Sequence, residues 1–246
     1  MDIAISVVVP VKNEADNIGP LVDEIVAALR PAVEPFEIVC VDDGSTDRTA
    51  DVLRTLKARV PELKAIGHAR NAGQSAGLRT GIWAARGTLI LTLDGDGQND
   101  PADIPAMIAT YRAASAAAAD RTVGLVAGQR VKRKDTLAKR LASRFANRVR
   151  RWALNDETRD TGCGLKLIPR DVFQRLPYFD HMHRFLPALV QREGYAVAFQ
   201  EVNHRPRRAG RSNYGVFDRA WVSIADLQGV MWLNRRCRPT GARKEL

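Results

Sequence analysis

The segment LTLDGDGQNDP, residues 91–101, sets three carboxylates, Asp94, Asp96 and Asp100, around two glycines directly after an apolar run. Like charges a few ångströms apart raise one another's pKa unless a cation sits among them. Mg²⁺ or Mn²⁺ would remove that conflict. Both take oxygen ligands, commonly one or two carboxylates completed by water and substrate phosphate, and Gln98 adds a neutral amide oxygen. The glycines let backbone and ligand approach closely. The other reading of the same residues is an exposed Asp-Gly turn between two strands. An EF-hand calcium loop does not fit, because the twelfth position counted from Asp94 is Pro105.

Two further clusters carry usable chemistry. VDDGSTDRT (41–49) offers Asp42 or Asp43 to accept hydrogen bonds from a nucleobase N–H or from ribose hydroxyls, with Ser45 or Thr46 as a cap for the helix that follows. Two aspartates before a glycine also make an ordinary turn. PVKNEADN (10–17) gives Pro10 to turn the chain and Glu14 at a helix start, where its charge suits the helix dipole.

The elements that must position these clusters alternate. Short β-branched runs at 3–10, 36–41, 63–67 and 88–93 are separated by helical patterns over 14–30, 47–60 and 74–85. SVVVP and TLILTL are apolar without clean alternation, as strands buried on both faces should be. The expected fold is therefore α/β, a mostly parallel central sheet flanked by helices. Functional residues in such a sheet sit beyond the strand C-termini. The polar clusters PVKNE, DDGSTD, HARNAGQ and DGDGQND follow the four strands in turn, so all should meet at one edge. Later strands are expected at 122–128, leading into Gln129 and Arg130, and at 196–202, the last as an antiparallel candidate. Asp100, ahead of Pro101, is expected to start the next helix.

The chain has 246 residues, 45% apolar, enough for a substantial core, and a formal charge of +10. Residues 130–151 hold ten Lys and Arg against Asp135 alone, so the basicity is local. Such a patch points to nucleic acid, an anionic membrane surface or phosphorylated substrates. The three cysteines, Cys40, Cys163 and Cys237, form neither a disulfide framework nor a zinc spacing, and a reducing compartment follows. The N-terminus lacks a basic leader region and its apolar run is broken by Pro10 and Lys12, so no signal peptide is expected. The uncharged run 227–234 is far short of the ~20 residues of a membrane-spanning helix, so no span is expected either.

VVVPVKNE, VDDGSTDRT and DGDGQ, in this order and spacing, resemble the N-terminal signatures of family 2 glycosyltransferases with the GT-A fold. VAGQRVKRK, DTGCGLKLIPRDVF and HRPRRAGRSNYG resemble the polyprenyl-phosphate transferases among them, the dolichol-phosphate mannosyltransferase group and its bacterial relatives, and the likeness covers nearly the whole chain. The resemblance implies a nucleoside diphosphate sugar donor, GDP- or UDP-linked, and a polyprenyl phosphate acceptor. It puts Pro10, Lys12, Glu14, Val41 and Asp43 around the nucleoside, and Asp94, Asp96 and Gln98 on a divalent cation (Mg²⁺ or Mn²⁺) against the diphosphate, with the Gly95 backbone nearby. Arg130, Arg207 and Asn213 fall where the group places basic residues on the diphosphate and the acceptor phosphate, and Asp160 falls near the sugar or acceptor; the implied catalytic set is Asp96, Arg130, Asp160 and Arg207. Lys12 stands where a tyrosine is usual and Asn213 where a lysine is usual. The implied reaction is a single displacement with inversion.

The basic segment then gains a reading. Leu137, Leu141, Phe145, Val149 and Trp152 recur at helical spacing, with Lys139, Arg140, Arg144, Arg148, Arg150 and Arg151 opposite, which is the pattern of an interfacial membrane helix over 137–154. The same pattern also fits a helix packed on the core with solvated charges outside. A second amphipathic stretch, 216–236, has Phe217, Trp221, Ile224, Leu227 and Met231 in phase before Arg235 and Arg236. The expected organisation is a GT-A catalytic domain over 1–212 and a C-terminal amphipathic helix with a basic tail over 213–246. The expected location is peripheral, on the cytoplasmic face of a membrane, with an anionic lipid surface and either a homo-oligomer or a membrane-anchoring partner as contacts and no nucleic acid, since no RNA-binding signature is present. Two other functions fit parts of the sequence. One is a family 2 enzyme using a saccharide acceptor in cell-envelope polysaccharide synthesis, against which no QxxRW sequence is found; the other is a basic membrane- or RNA-associated protein without activity, against which DGDGQ is intact.

Overall fold

The computed structural model describes residues 3–32, 34–118, 121–131, 150, 153, 154, 156, 158, 160–206 and 216–236, with only the backbone for 32 and 216–224. Strands β1 (Ile5–Val11), β2 (Phe36–Asp42), β3 (Leu63–Gly67), β4 (Leu89–Thr92), β5 (Val123–Arg130), β6 (Lys166–Pro169) and β7 (Ala196–Val202) form one sheet in the order β3-β2-β1-β4-β6-β5-β7. Helices α1 (Ala15–Leu29), α2 (Thr49–Arg59), α3 (Gln74–Ala84), α4 (Ile104–Ala117), α5 (Arg170–Arg175), α6 (Leu186–Arg192) and α7 (Val216–Arg236) accompany it.

The strands β1 and β2 are buried at every position, which explains their unbroken apolar runs: alternate residues enter separate cores on the two faces. Ile5, Val7 and Val9 meet Ile18, Leu21 and Ile25 of α1 on one face, whereas Val8 joins Leu78 and Ile82 of α3 on the other. Each such side chain contributes roughly 1.5–3 kcal/mol by leaving water. Strand β1 pairs in parallel with β2 on one side and with β4 on the other, Val8 standing opposite both Val39 and Thr92. The chain order reverses across β1, so the loops after β1 and β4 border the crevice where α/β sheets bind ligands.

Two expectations change. The strand over 196–202 runs parallel to β5, not antiparallel; the reversed strand is β6, which pairs antiparallel with both β4 and β5. Four residues ended by Pro169 carry no periodicity, so only the partners fix their direction. Helix α2 begins at Thr49 without a Ser45 or Thr46 cap. Those residues are drawn to the β1 loop instead: Asn13 N–H donates to Ser45 Oγ (2.9 Å), and Thr46 N–H donates to Asn13 Oδ1 (2.8 Å). Asp100 does start the next turn, its carboxylate accepting from Ala102 N–H at 3.0 Å. No helix among the described residues is long and apolar enough to cross a membrane. Helix α7 packs on α6 through buried Val230, with Arg192 Nε donating to the Leu233 carbonyl (3.2 Å).

Candidate active site

Pro10 and Val41 are register neighbours at the ends of β1 and β2, and Lys12 and Glu14 follow on the β1 loop. That loop is stapled to the β2 loop: besides the Asn13 contacts, Glu14 N–H donates to Thr49 Oγ1 (2.9 Å) and Asp43 N–H to the Val11 carbonyl (2.8 Å). Asp43 is 4% exposed and its carboxylate is filled by the third loop. Oδ1 meets His68 Nδ1 (2.7 Å) and Ala72 N–H (2.8 Å), while Oδ2 accepts from Gly73 N–H (2.7 Å). With its amide turned to satisfy both neighbours, Asn71 also donates to Asp43 Oδ2 (2.6 Å) and accepts from Lys12 Nζ (3.1 Å). A carboxylate has about four acceptor positions, and here protein donors take four. Asp43 therefore ties the loops after β1, β2 and β3 into one wall.

The fourth loop brings the acidic pair. Asp94 sits just past β4, its carboxylate accepting from Gln74 Nε2 (2.7 Å), and its N–H reaches Asn99 Oδ1 (3.4 Å). Asp96 is 8% exposed and accepts from Gln98 N–H (3.1 Å). Gly95 is buried against Pro10 and Val11, where a Cβ would meet Val11 Cγ1 at 2.6 Å. On the far side lies Gly164, where a Cβ would collide with all three carboxyl atoms of Asp94. Burial, and then the charge of Asp96, push the Asp94 carboxyl up to about 6, although Lys166, Arg130 and Gln74 pull the other way. The donor set fits a hard divalent cation: two neighbouring carboxylates in mutual repulsion, a nearby amide at Gln98, and backbone pared to glycine on both sides.

Arg130, at the end of β5, and Asp160 form a bidentate pair (Nε to Oδ2 2.6 Å, Nη2 to Oδ1 2.8 Å), both largely buried. The fork fixes the guanidinium plane and leaves other N–H groups for an anion. Asp160, expected near the sugar or acceptor, thus touches Arg130. Arg207, Asn213 and most of the helix expected over 137–154 lie outside the described residues.

Sequence reasoning passed over several residues that join this site. A cavity of about 400 Å³ opens beside Asp94, walled in part by Gln74, Thr161, Gly164, Lys166, His183 and Arg184. His183 shares a hydrogen bond between Nδ1 and Ser75 Oγ (2.8 Å), and burial, followed by Lys166, pushes its pKa down to about 3, so it stays neutral. Gln74 had a signal in HARNAGQ, the polar cluster behind the third strand. Lys166 lies within DTGCGLKLIPRDVF, where nothing local sets it apart, and His183 had no signal, because each arrives from a distant element.

A protein-family model described as glycosyl transferase family 2 matches residues 6–176. Dodecaprenyl-phosphate galacturonate synthase of Rhizobium johnstonii is 36% identical over 245 residues, 96% of this chain and 69% of the relative. Undecaprenyl-phosphate 4-deoxy-4-formamido-L-arabinose transferase of Yersinia enterocolitica is 31% identical over 214 residues, 86% of this chain and 63% of the relative. The chain thus spans about two thirds of the curated relatives it matches. Among solved structures, glucosyl-3-phosphoglycerate synthase from Mycobacterium tuberculosis, crystallised with Mn²⁺, UDP-glucose and phosphoglyceric acid, superposes with a TM-score of 0.67 at 16% identity, covering 97% of this chain and 81% of that one. The seven-stranded sheet is the GT-A fold, and the chain belongs to glycosyl transferase family 2.

Proposed function

We propose that this protein transfers a sugar from a nucleoside diphosphate to a polyprenyl phosphate, with inversion and with a divalent cation, at a membrane surface. The observation that carries the reading is the convergence of three loops, after β1, β2 and β4, on one crevice, with the Asp94–Asp96 pair at its centre and the Asp160-anchored Arg130 near enough to act electrostatically on Asp94. Both curated relatives described above are named for polyprenyl-phosphate acceptors, which supports the acceptor class. A structural neighbour crystallised with Mn²⁺ and UDP-glucose supports the donor class.

Asp94, Asp96 and Gln98 would hold Mg²⁺ or Mn²⁺, which would supply charge neutralisation for the diphosphate. The remaining work falls to this chain's residues. The loops after β1 and β2, with Pro10, Lys12, Glu14, Val41 and Asp43, form the wall for the nucleoside, and Asp43 acts by holding that wall closed. A lipid phosphomonoester has a second pKa of ~6, so its oxygen is anionic at neutral pH and needs no strong base. That oxygen attacks the anomeric carbon, the bond from carbon to the diphosphate oxygen breaks, and the nucleoside diphosphate leaves with the electron pair. Arg130, held by Asp160, offsets charge on the departing group, and catalysis is positioning plus electrostatics. Arg207 and Asn213 are assigned to the phosphates, and the basic segment over 137–154 to an anionic leaflet, at ~1 kcal/mol per Lys or Arg near the surface.

Binding tests the first half of this reading. Mn²⁺ with UDP or GDP at about a hundredfold excess over Kd should raise the melting temperature by roughly 5–10 °C. An unchanged temperature with either nucleotide would remove it.

A further inference from the structure

The 400 Å³ cavity has a wall that the nucleotide and cation readings leave unused. Among the described residues it includes Asp94 but neither Asp96 nor Gln98, nor any residue of the loops after β1 and β2. With the diphosphate against Asp94 and Asp96, as the proposed function has it, this cavity is the space left for the sugar of a bound donor. Leu78 and Leu186 supply apolar surface for a ring face, and Gln74 and neutral His183 supply groups that hydrogen-bond hydroxyls.

Lys166 is the anomaly in this wall. It rises from the sheet itself, on β6, in register with Thr92 of β4, and is only 4% exposed. Its ammonium donates to the Cys163 carbonyl, and among the described residues no carboxylate lies within ion-pair distance of it. Arg184 lines the same cavity, also without an ion pair among the described residues. Burial pushes the Lys166 pKa down, and Cys163, Asp94 and Asp160 act from beyond ion-pair distance to keep the proton on; a buried ammonium with no carboxylate in direct contact is costly, and the space beside it is the cavity. An anion that pairs with Lys166 must enter the cavity beside Asp94. A lipid phosphate dragging a prenyl chain is poorly suited to that, whereas a substituent on the sugar ring enters with the donor.

We infer that the cavity is the donor-sugar subsite and that it selects an anionic sugar, a hexuronate whose ring carboxylate pairs with Lys166 and, at the wall, Arg184. The inference rests on the nucleotide-sugar reading above and adds the class of sugar. The test is calorimetric binding of the wild-type protein with Mn²⁺ to UDP, GDP, neutral nucleotide hexoses and the matching nucleotide hexuronates. A carboxylate held by a charged donor should favour the hexuronate by about 10–100-fold over its neutral counterpart. Lys166→Met should erase that preference, bringing the hexuronate and its neutral counterpart to equal affinity. Nucleotide binding with no hexuronate preference in the wild type would overturn the inference while leaving the proposed function intact, and would do so without any variant. Loss of affinity for UDP or GDP in Lys166→Met would make the lysine a diphosphate ligand, and a rise only in the KM for polyprenyl phosphate would make it an acceptor ligand; either result overturns the sugar assignment. No binding of any nucleotide by the wild type would instead defeat the underlying reading.

Discussion

Replacing Asp94 by Asn should make the cation-free protein more stable. Asp94 has its carboxyl pushed from the ordinary 3.8 to about 6 by burial and by Asp96. The folded protein therefore holds this proton more tightly than the unfolded chain does, and stability is lost as pH rises from about 4 to about 6 and stays lost above. The whole difference costs the ionised native state about 3 kcal/mol at pH 8, and about 1.5 kcal/mol at pH 5, where the native group is mostly protonated. Asparagine keeps the shape and can still accept from Gln74 Nε2, but carries no charge. Urea denaturation in EDTA should accordingly find Asp94→Asn more stable than the wild type by up to about 3 kcal/mol at pH 8, with the gain roughly halved at pH 5. Adding Mn²⁺ should narrow the gap at pH 8 as the cation takes up the repulsion. A variant no more stable than the wild type at pH 8, or one whose gain is the same at both pH values, would refute the electrostatic description of the acidic pair.

Two other outcomes follow from contacts in the same crevice. Gly164→Ala places a methyl group in the Asp94 carboxyl, so it should cost about 1–3 kcal/mol of stability and abolish the Mn²⁺-dependent binding of UDP or GDP, as read by calorimetry. Asp43→Asn leaves donors from His68, Ala72, Gly73 and Asn71 facing one amide instead of two carboxylate oxygens; a loss of about 1–3 kcal/mol is expected, with hydrogen exchange faster at 70–73 and unchanged in β1 and β2.

The parts legible in the sequence were those governed by neighbours in the chain. The β-branched runs of β1, β2 and β4 announced a sheet buried on both faces, and the polar clusters behind them announced the crevice. Asp94 and Asp96 stood out because their charges conflict within three residues. Strand β6 was not legible, since KLIP is four residues long and takes its antiparallel direction from β4 and β5. Asp43 read as a nucleotide ligand, whereas its four protein donors come from residues 68–73, far along the chain. Lys166 and His183 reach the cavity from β6 and from the turn before α6, and no local pattern marks a residue whose partners are assembled by tertiary packing.

The most direct measurement is product formation: the protein, Mn²⁺, a panel of nucleotide sugars and undecaprenyl phosphate, with lipids analysed by mass spectrometry. The expected product is a polyprenyl-phosphate sugar of inverted anomeric configuration, formed with at least one donor and lost in EDTA or in Asp96→Ala. Transfer that persists at full rate in EDTA and in Asp96→Ala, or a folded protein that binds nucleotide yet leaves the lipid unmodified with every donor, would contradict it.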